Sequence, residues 1–186
     1  MPGGITLIEQ QSNSSHQIPR MIIKQKLGNV ETFETGNRTV DHLRIEWYEA
    51  NKRILHKHTA SGQKVILQFL QQNPELKEGD VLFETAEYVL IVEVLPCDAI
   101  VLEPKNMAEA AAICYEIGNK HLPLFIENDQ LLIPFDGPVY TMLQAYGYVV
   151  QRATSKLIHP LKTSVAPHGS TSSNSLFNRI MKLTSS

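Results

Sequence analysis

Residues 95–104 read LPCDAIVLEP, and they divide the chain into two kinds of pattern. Upstream, from Met21, short apolar-rich runs are separated by turn residues: MIIKQKL, HLRIEWY with Leu43, Ile45 and Trp47 on one face, RILHKHT, KVILQFL, VLFET and YVLIVEVL. Such runs predict the strands of a compact β module. Downstream the order changes to strand, helix, strand, strand, helix, strand. Ile100–Leu102 predict a first strand, and Asn106 with Glu109 three residues later predicts the N-cap and capping box of a helix running to about Ile117.

The expected buried stripe of that helix is Met107, Ala110, Cys114 and Ile117, and Gly118-Asn119 can adopt the left-handed conformation that ends it. LPLFIE and QLLIPF, separated by NDQ, read as a hairpin. Asp136 caps a second helix in which Val139, Met142, Leu143 and Tyr146 recur at i, i+3, i+4 and i+7 before Gly147 stops it, and YVVQRATSKL supplies a last strand. The order βαββαβ predicts a ferredoxin-like plait with both helices on one face of its sheet.

The fold class expected is therefore α+β in two domains. An N-terminal all-β module occupies residues 21–95 and a ferredoxin-like domain residues 96–157. A leader, 1–20, rich in Ser, Gln, Gly and Pro, and a C-terminal tail, 158–186, rich in Ser, Thr, Pro and Gly, are expected to be flexible. At the tail's end Leu176, Phe177, Ile180, Met181 and Leu183 fall along one side of a short helix that would order on a partner, being below the length of roughly 12–15 residues at which helices hold alone.

Composition narrows the function. A formal charge of -2 gives no electrostatic reason to bind nucleic acid or an anionic membrane surface. RNA recognition by the plait would also need aromatic residues on its central strands, and AIVLEP and LLIPF offer none suited to stacking bases. Two cysteines, Cys97 and Cys114, exclude a disulfide framework and a four-cysteine zinc site. With neither a signal peptide nor a bilayer-length apolar run, a cytoplasmic protein is expected. Gly-rich phosphate loops, nucleophile-elbow glycines and paired-histidine helices are missing, so no enzyme activity is expected. Cys114 reads as core, since a buried thiol without a nearby base is inert.

Two segments of the second domain carry a resemblance. Tyr115 to His121 reads YEIGNKH, and Pro138 to Gly147 reads PVYTMLQAYG some twenty residues on. Together they resemble the UreE family of urease accessory metallochaperones, and RIEWYEANKRILHKHTASGQKVILQF and LKEGDVLF extend the likeness over about residues 21–168. The resemblance implies a homodimeric carrier of Ni(II) as cargo, a β domain that binds peptide or partner protein, and a dimerising ferredoxin-like domain. It implies His121 as the metal-binding histidine and His168 as a tail ligand. The implied partners are the urease-associated GTPase UreG and the apo-urease maturation complex. Many members end in a histidine-rich tail; here the tail has only His159 and His168, which argues against storage of many ions per chain.

The residues can be weighed beside that implication. Ni(II) takes more ligands than one imidazole, so His121 needs a two-fold partner to double it at an isologous interface, with His168 closing from the tail. Imidazole suits Zn(II) and Cu(II) as well as Ni(II), so the residues alone do not decide whether those two compete at the site. Each histidine also has a plainer reading. A cation at a helix C-terminus is favoured by the dipole without any metal, and a tail histidine can simply be solvated. His56 and His58 of HKH share one strand face and could chelate, or could be a solvated face beside Lys57; His159 is a further candidate, whereas His16 and His42 carry no signal. The alternative function is a metal-independent dimeric peptide-binding adaptor that works by strand addition.

Overall fold

The computed structural model describes residues 21–71 and 73–161. The leader, His16, His168 and the apolar run from Leu176 to Leu183 lie outside the described residues.

The N-terminal region is built of strands β1 (Met21–Ile23), β2 (Gly28–Asn29), β3 (Thr39–Ile45), β4 (Ile54–His58), β5 (Lys64–Gln68), β6 (Asp80–Glu84) and β7 (Tyr88–Val94). They form a three-stranded sheet in the order β1-β5-β4 and a four-stranded sheet in the order β2-β6-β7-β3. Alternation puts one side chain in two on the inner face of each sheet. Ile23, Leu55, Val65 and Leu67 from the first sheet join Leu43, Ile45, Leu82, Leu90 and Val92 from the second in one buried cluster. Leu43 and Ile45 face this core as their spacing predicts. Trp47 does not continue their strand: it opens a 3-10 turn, Trp47–Glu49, and packs edge-on against Phe125 at 5.7 Å, so it joins the β module to the second region.

Two buried carboxylates pin the loops of this module. Asp41 accepts hydrogen bonds from the Ser61 hydroxyl and N–H, the His42 N–H and the Tyr88 hydroxyl. Burial alone would raise its pKa, but these donors outweigh it and lower the value to about 2. Asp80 accepts from the Lys77 N–H, the Asn29 amide and the Lys26 ammonium.

The second region runs through β8 (Cys97–Leu102), α1 (Met107–Asn119), β9 (Phe125–Glu127), β10 (Gln130–Pro134), α2 (Gly137–Ala145) and β11 (Val150–Ser155). Its sheet has the order β11-β8-β10-β9, with every neighbouring pair antiparallel. Ile100 and Leu102 of β8 and Leu131 and Ile133 of β10 share a buried cluster with Ile113 and Ile117 of α1 and Val139 and Leu143 of α2, so both helices cover one face. The opposite face, through Ala99, Val101, Leu132 and Phe125, packs against Trp47 and Leu157.

Both predicted N-caps are present. The Asn106 side chain accepts from the Glu109 N–H at 2.9 Å and that of Asp136 from the Val139 N–H at 2.9 Å. The Glu109 carboxylate reaches back to the Lys105 N–H at 2.7 Å rather than to Asn106. The expected stripe of α1 needs correction. Ile113 and Ile117 are its buried residues, Cys114 is half-buried, and Met107 is 83% exposed. Two branched side chains turned onto the sheet remove more apolar area from water than a methionine in the first turn would. On α2, Val139 and Leu143 are buried as expected, while Tyr146, at the C-cap, is exposed.

Candidate metal centre

The last carbonyls of a helix have no partner within it. At the end of α1, which runs on through Gly118 and Asn119 to a cap at Lys120, they find partners in the chain that turns back. The His121 N–H donates to the Gly118 carbonyl at 3.0 Å, and the Leu122 N–H reaches the Ile117 carbonyl at 3.4 Å. This is the Schellman arrangement, and the apolar contact that goes with it is present: Leu122 packs in the same cluster as Ile117.

The arrangement requires a left-handed residue immediately after the cap. Here that residue is His121, with φ +55°. The expectation that Gly118-Asn119 would turn left-handed is thus overturned. Both lie inside the helix, because the carbonyls of Ile117 and Gly118 are met by the N–H groups of Leu122 and His121, which sets the turn after Lys120. A side chain in this conformation costs about 1–2 kcal/mol relative to the right-handed region, although histidine is among the types that adopt it more often than most. Ile117 is fully buried and Leu122 half-buried, and between them they hold the backbone there. The His121 side chain itself is exposed. A rigid element thus carries an imidazole at the rim of the domain.

The chain after β11 comes back to this corner. Leu157 is 2% exposed, and Ile158 packs against the core of the β module. The Ile126 N–H then donates to the His159 carbonyl at 3.0 Å, and the Leu161 N–H to the Leu124 carbonyl at 2.7 Å, with Pro160 bridged to Phe125 in antiparallel sense. Residues 159–161 therefore extend the sheet beyond β9 and point towards its beginning, where Leu124 stands three residues from His121. His168 follows Leu161 by seven positions, a reach of at most about 25 Å, against at most about 11 Å from Leu124 to His121.

The remaining candidates are scattered. His159 is exposed, and its carbonyl is held by β9. His56 and His58 are exposed on β4, in the other domain. His42 is half-buried on β3, its N–H bonded to Asp41. Burial raises the pKa of both cysteine thiols, and for Cys97 the charges of Glu46 and Asp98 add to it. Neither offers a ready thiolate at neutral pH. Among the described residues, no three of His, Cys, Asp and Glu converge on a point that could hold an ion.

Beside His121 lies a bare helix face. Met107 and Tyr115 are 83% and 69% exposed, and Ala108, Ala111, Ala112 and Gly118 are exposed between and beyond them. A Cβ built on Gly118 would meet nothing within 4 Å. The sequence pattern did not single out this face. A run of alanines does not distinguish the two sides of a helix, and only the packing of Ile113 and Ile117 decides which is left outside.

Comparison with known proteins gives consistent matches along most of the chain. Residues 23–95 match the family described as UreE urease accessory protein, N-terminal domain, and residues 93–172 match its C-terminal domain. The chain is 43% identical over 163 residues to the urease accessory protein UreE of Flavobacterium johnsoniae, covering 88% of this chain and 99% of that protein. It is 40% identical over 156 residues to the urease accessory protein UreE of Acetivibrio thermocellus, covering 83% and 99%. To the Helicobacter pylori protein of the same name it is 33% identical over 153 residues, covering 80% and 89%.

Proposed function

Since this chain belongs to the UreE urease accessory protein family, we propose that it carries Ni(II) for assembly of the urease active site, holding the ion between the His121 side chains of two copies. The observation that carries this reading is the left-handed His121 at the end of α1. Conformational strain at a residue fixed by its neighbours supports a functional reading, and an exposed imidazole at a rigid corner is within reach of an ion.

One imidazole per chain cannot satisfy Ni(II), and a two-fold interface doubles it without a second motif. The bare face of α1, with Met107 and Tyr115 at its two ends, suits a second copy, and its alanines and Gly118 would let the helices come close. The antiparallel order β11-β8-β10-β9 with both helices on one face supports a ferredoxin-like reading of this dimerising domain. The docking of residues 159–161 beside Leu124 supports His168 as a tail ligand, since the chain that leads to it starts within reach of His121.

The mechanism is ligand exchange. His121 from each chain holds the ion at the interface, His168 adds or withdraws a bond, and an acceptor in the maturation complex, including the GTPase UreG, takes the ion when it offers more donors. Zn(II) and Cu(II) compete for the same nitrogens. No helix among the described residues is long and apolar enough to cross a membrane. The carrier is read as a cytoplasmic one, as expected from its sequence.

Calorimetric titration of Ni(II) with mass measured in parallel tests the reading. About one ion per dimer is expected for the wild-type chain, lost in His121→Ala while the dimer persists. His168→Ala should weaken binding a few-fold. Unchanged nickel binding in His121→Ala would sink the proposal and favour the peptide-binding adaptor.

A further inference from the structure

We propose that His56 and His58 form a second, independent metal site, a two-imidazole chelate on the outer edge of the β module that takes a divalent cation of Cu(II) type. Among the described residues β4 pairs only with β5 and ends its sheet. The Phe69 N–H bonds to the Arg53 carbonyl and the Thr59 N–H to the Gln63 carbonyl. Arg53, Leu55, Lys57 and Thr59 therefore turn their backbone groups to β5, and Ile54, His56 and His58 turn theirs to the open edge. Both imidazoles are exposed, and among the described residues neither has a hydrogen-bond or ion-pair partner.

Residues two apart on a strand share a face, with Cα atoms about 6.6 Å apart. Two metal–nitrogen bonds of about 2 Å each bring the ring nitrogens within about 4 Å of each other, a gap that two histidine side chains so placed can close. Lys57, between them, is on the other face, where its ammonium is paired with Glu49. Its charge is both neutralised and turned away. Across the strand pair His56 faces the apolar Ile66, and His58 faces Lys64, a cation set against the site.

Two nitrogens with open remaining positions suit a tetragonal ion, and the order of divalent affinities places Cu(II) first, with Ni(II) and Zn(II) behind. The site needs no second copy and no tail. It differs in this from the centre at His121, and the two proposals stand or fall separately.

The test is titration of Cu(II) alone into the full-length His121→Ala chain, followed by affinity against a chromophoric chelator and by electron paramagnetic resonance. Coupling to two nitrogens is expected. The added pair His56→Gln and His58→Gln should lower Cu(II) affinity at least tenfold and abolish that coupling, with the far-ultraviolet dichroism unchanged. Lys64→Glu should raise affinity several-fold by removing the opposing charge and adding a carboxylate. An isotherm and spectrum that survive loss of both histidines would overturn the proposal, as would a Lys64→Glu chain that binds no more tightly than its parent.

Discussion

The two helices of the C-terminal region end in the same way with different residues. After α2 the Gly147 N–H donates to the Gln144 carbonyl at 2.9 Å and the Tyr148 N–H to the Leu143 carbonyl at 3.3 Å, the same pair of bonds that His121 and Leu122 make after α1. The left-handed position is filled by glycine at φ +80° in one and by histidine at φ +55° in the other. Glycine there is what backbone sterics favour. Histidine is tolerated at a cost, so the backbone motif alone does not account for its presence. The comparison separates a residue whose backbone preference accounts for its place from one whose place that preference does not explain.

The sharpest way to break this comparison is His121→Asn. Asparagine tolerates the left-handed region, so the turn should persist, while the imidazole is gone. Nickel affinity should fall by at least about a hundredfold, beyond the roughly 10–100-fold that losing a mere outer-sphere partner costs. The urea midpoint of the metal-free protein should scarcely move. Retained nickel binding in this variant would mean that His121 is placed as Gly147 is, for its backbone alone.

An acid titration sharpens the comparison from the other side, because it loosens the β module without touching either helix end. Asp41 has its pKa lowered to about 2 by its hydrogen bonds, below its ordinary unfolded value near 3.9. A depressed carboxylate stabilises the fold fully above the unfolded value and loses that contribution as pH falls through the folded one. Stability on the order of 2 kcal/mol should vanish between about pH 4 and pH 2. In Asp41→Asn that acid-dependent loss should be smaller, and the metal-free variants at His121 and Gly147 should keep the wild-type acid profile.

The sequence made much of this legible. Alternation placed the six longer strands of the β module and missed β2, which spans only Gly28–Asn29 and carries no period. Asn106 and Asp136 marked the helix starts because a cap is a local event. The helix ends were harder. Gly118-Asn119 looks like a stop, yet which residue turns left-handed depends on which carbonyls the returning chain can reach, and that is settled by Leu122 finding the core beside Ile117. The docking of 159–161 on β9 was equally hidden: IHPLK has the composition of a loop, and its hydrogen bonds come from a strand more than thirty residues earlier. His121 was singled out by family resemblance, and the strain that makes it physically conspicuous appears only in the backbone.

The smallest effect comes from exchanging the two residues. In His121→Gly, relief of left-handed strain of about 1–2 kcal/mol is partly offset by the freedom glycine adds to the unfolded chain, about 0.4–1 kcal/mol. These backbone terms alone favour the glycine variant of the metal-free protein by about 0.5–1 kcal/mol. Gly147→Ala reverses both terms and meets no neighbour within 4 Å, so it should lose a similar amount. Neither pair of hydrogen bonds shares a residue with the other, so the double variant should return close to wild-type stability. Denaturant midpoints at several protein concentrations read these changes free of any dimer contribution. A His121→Gly chain that is less stable than wild type would show that the imidazole supports the fold, and the strain at the end of α1 would then no longer argue for a ligand.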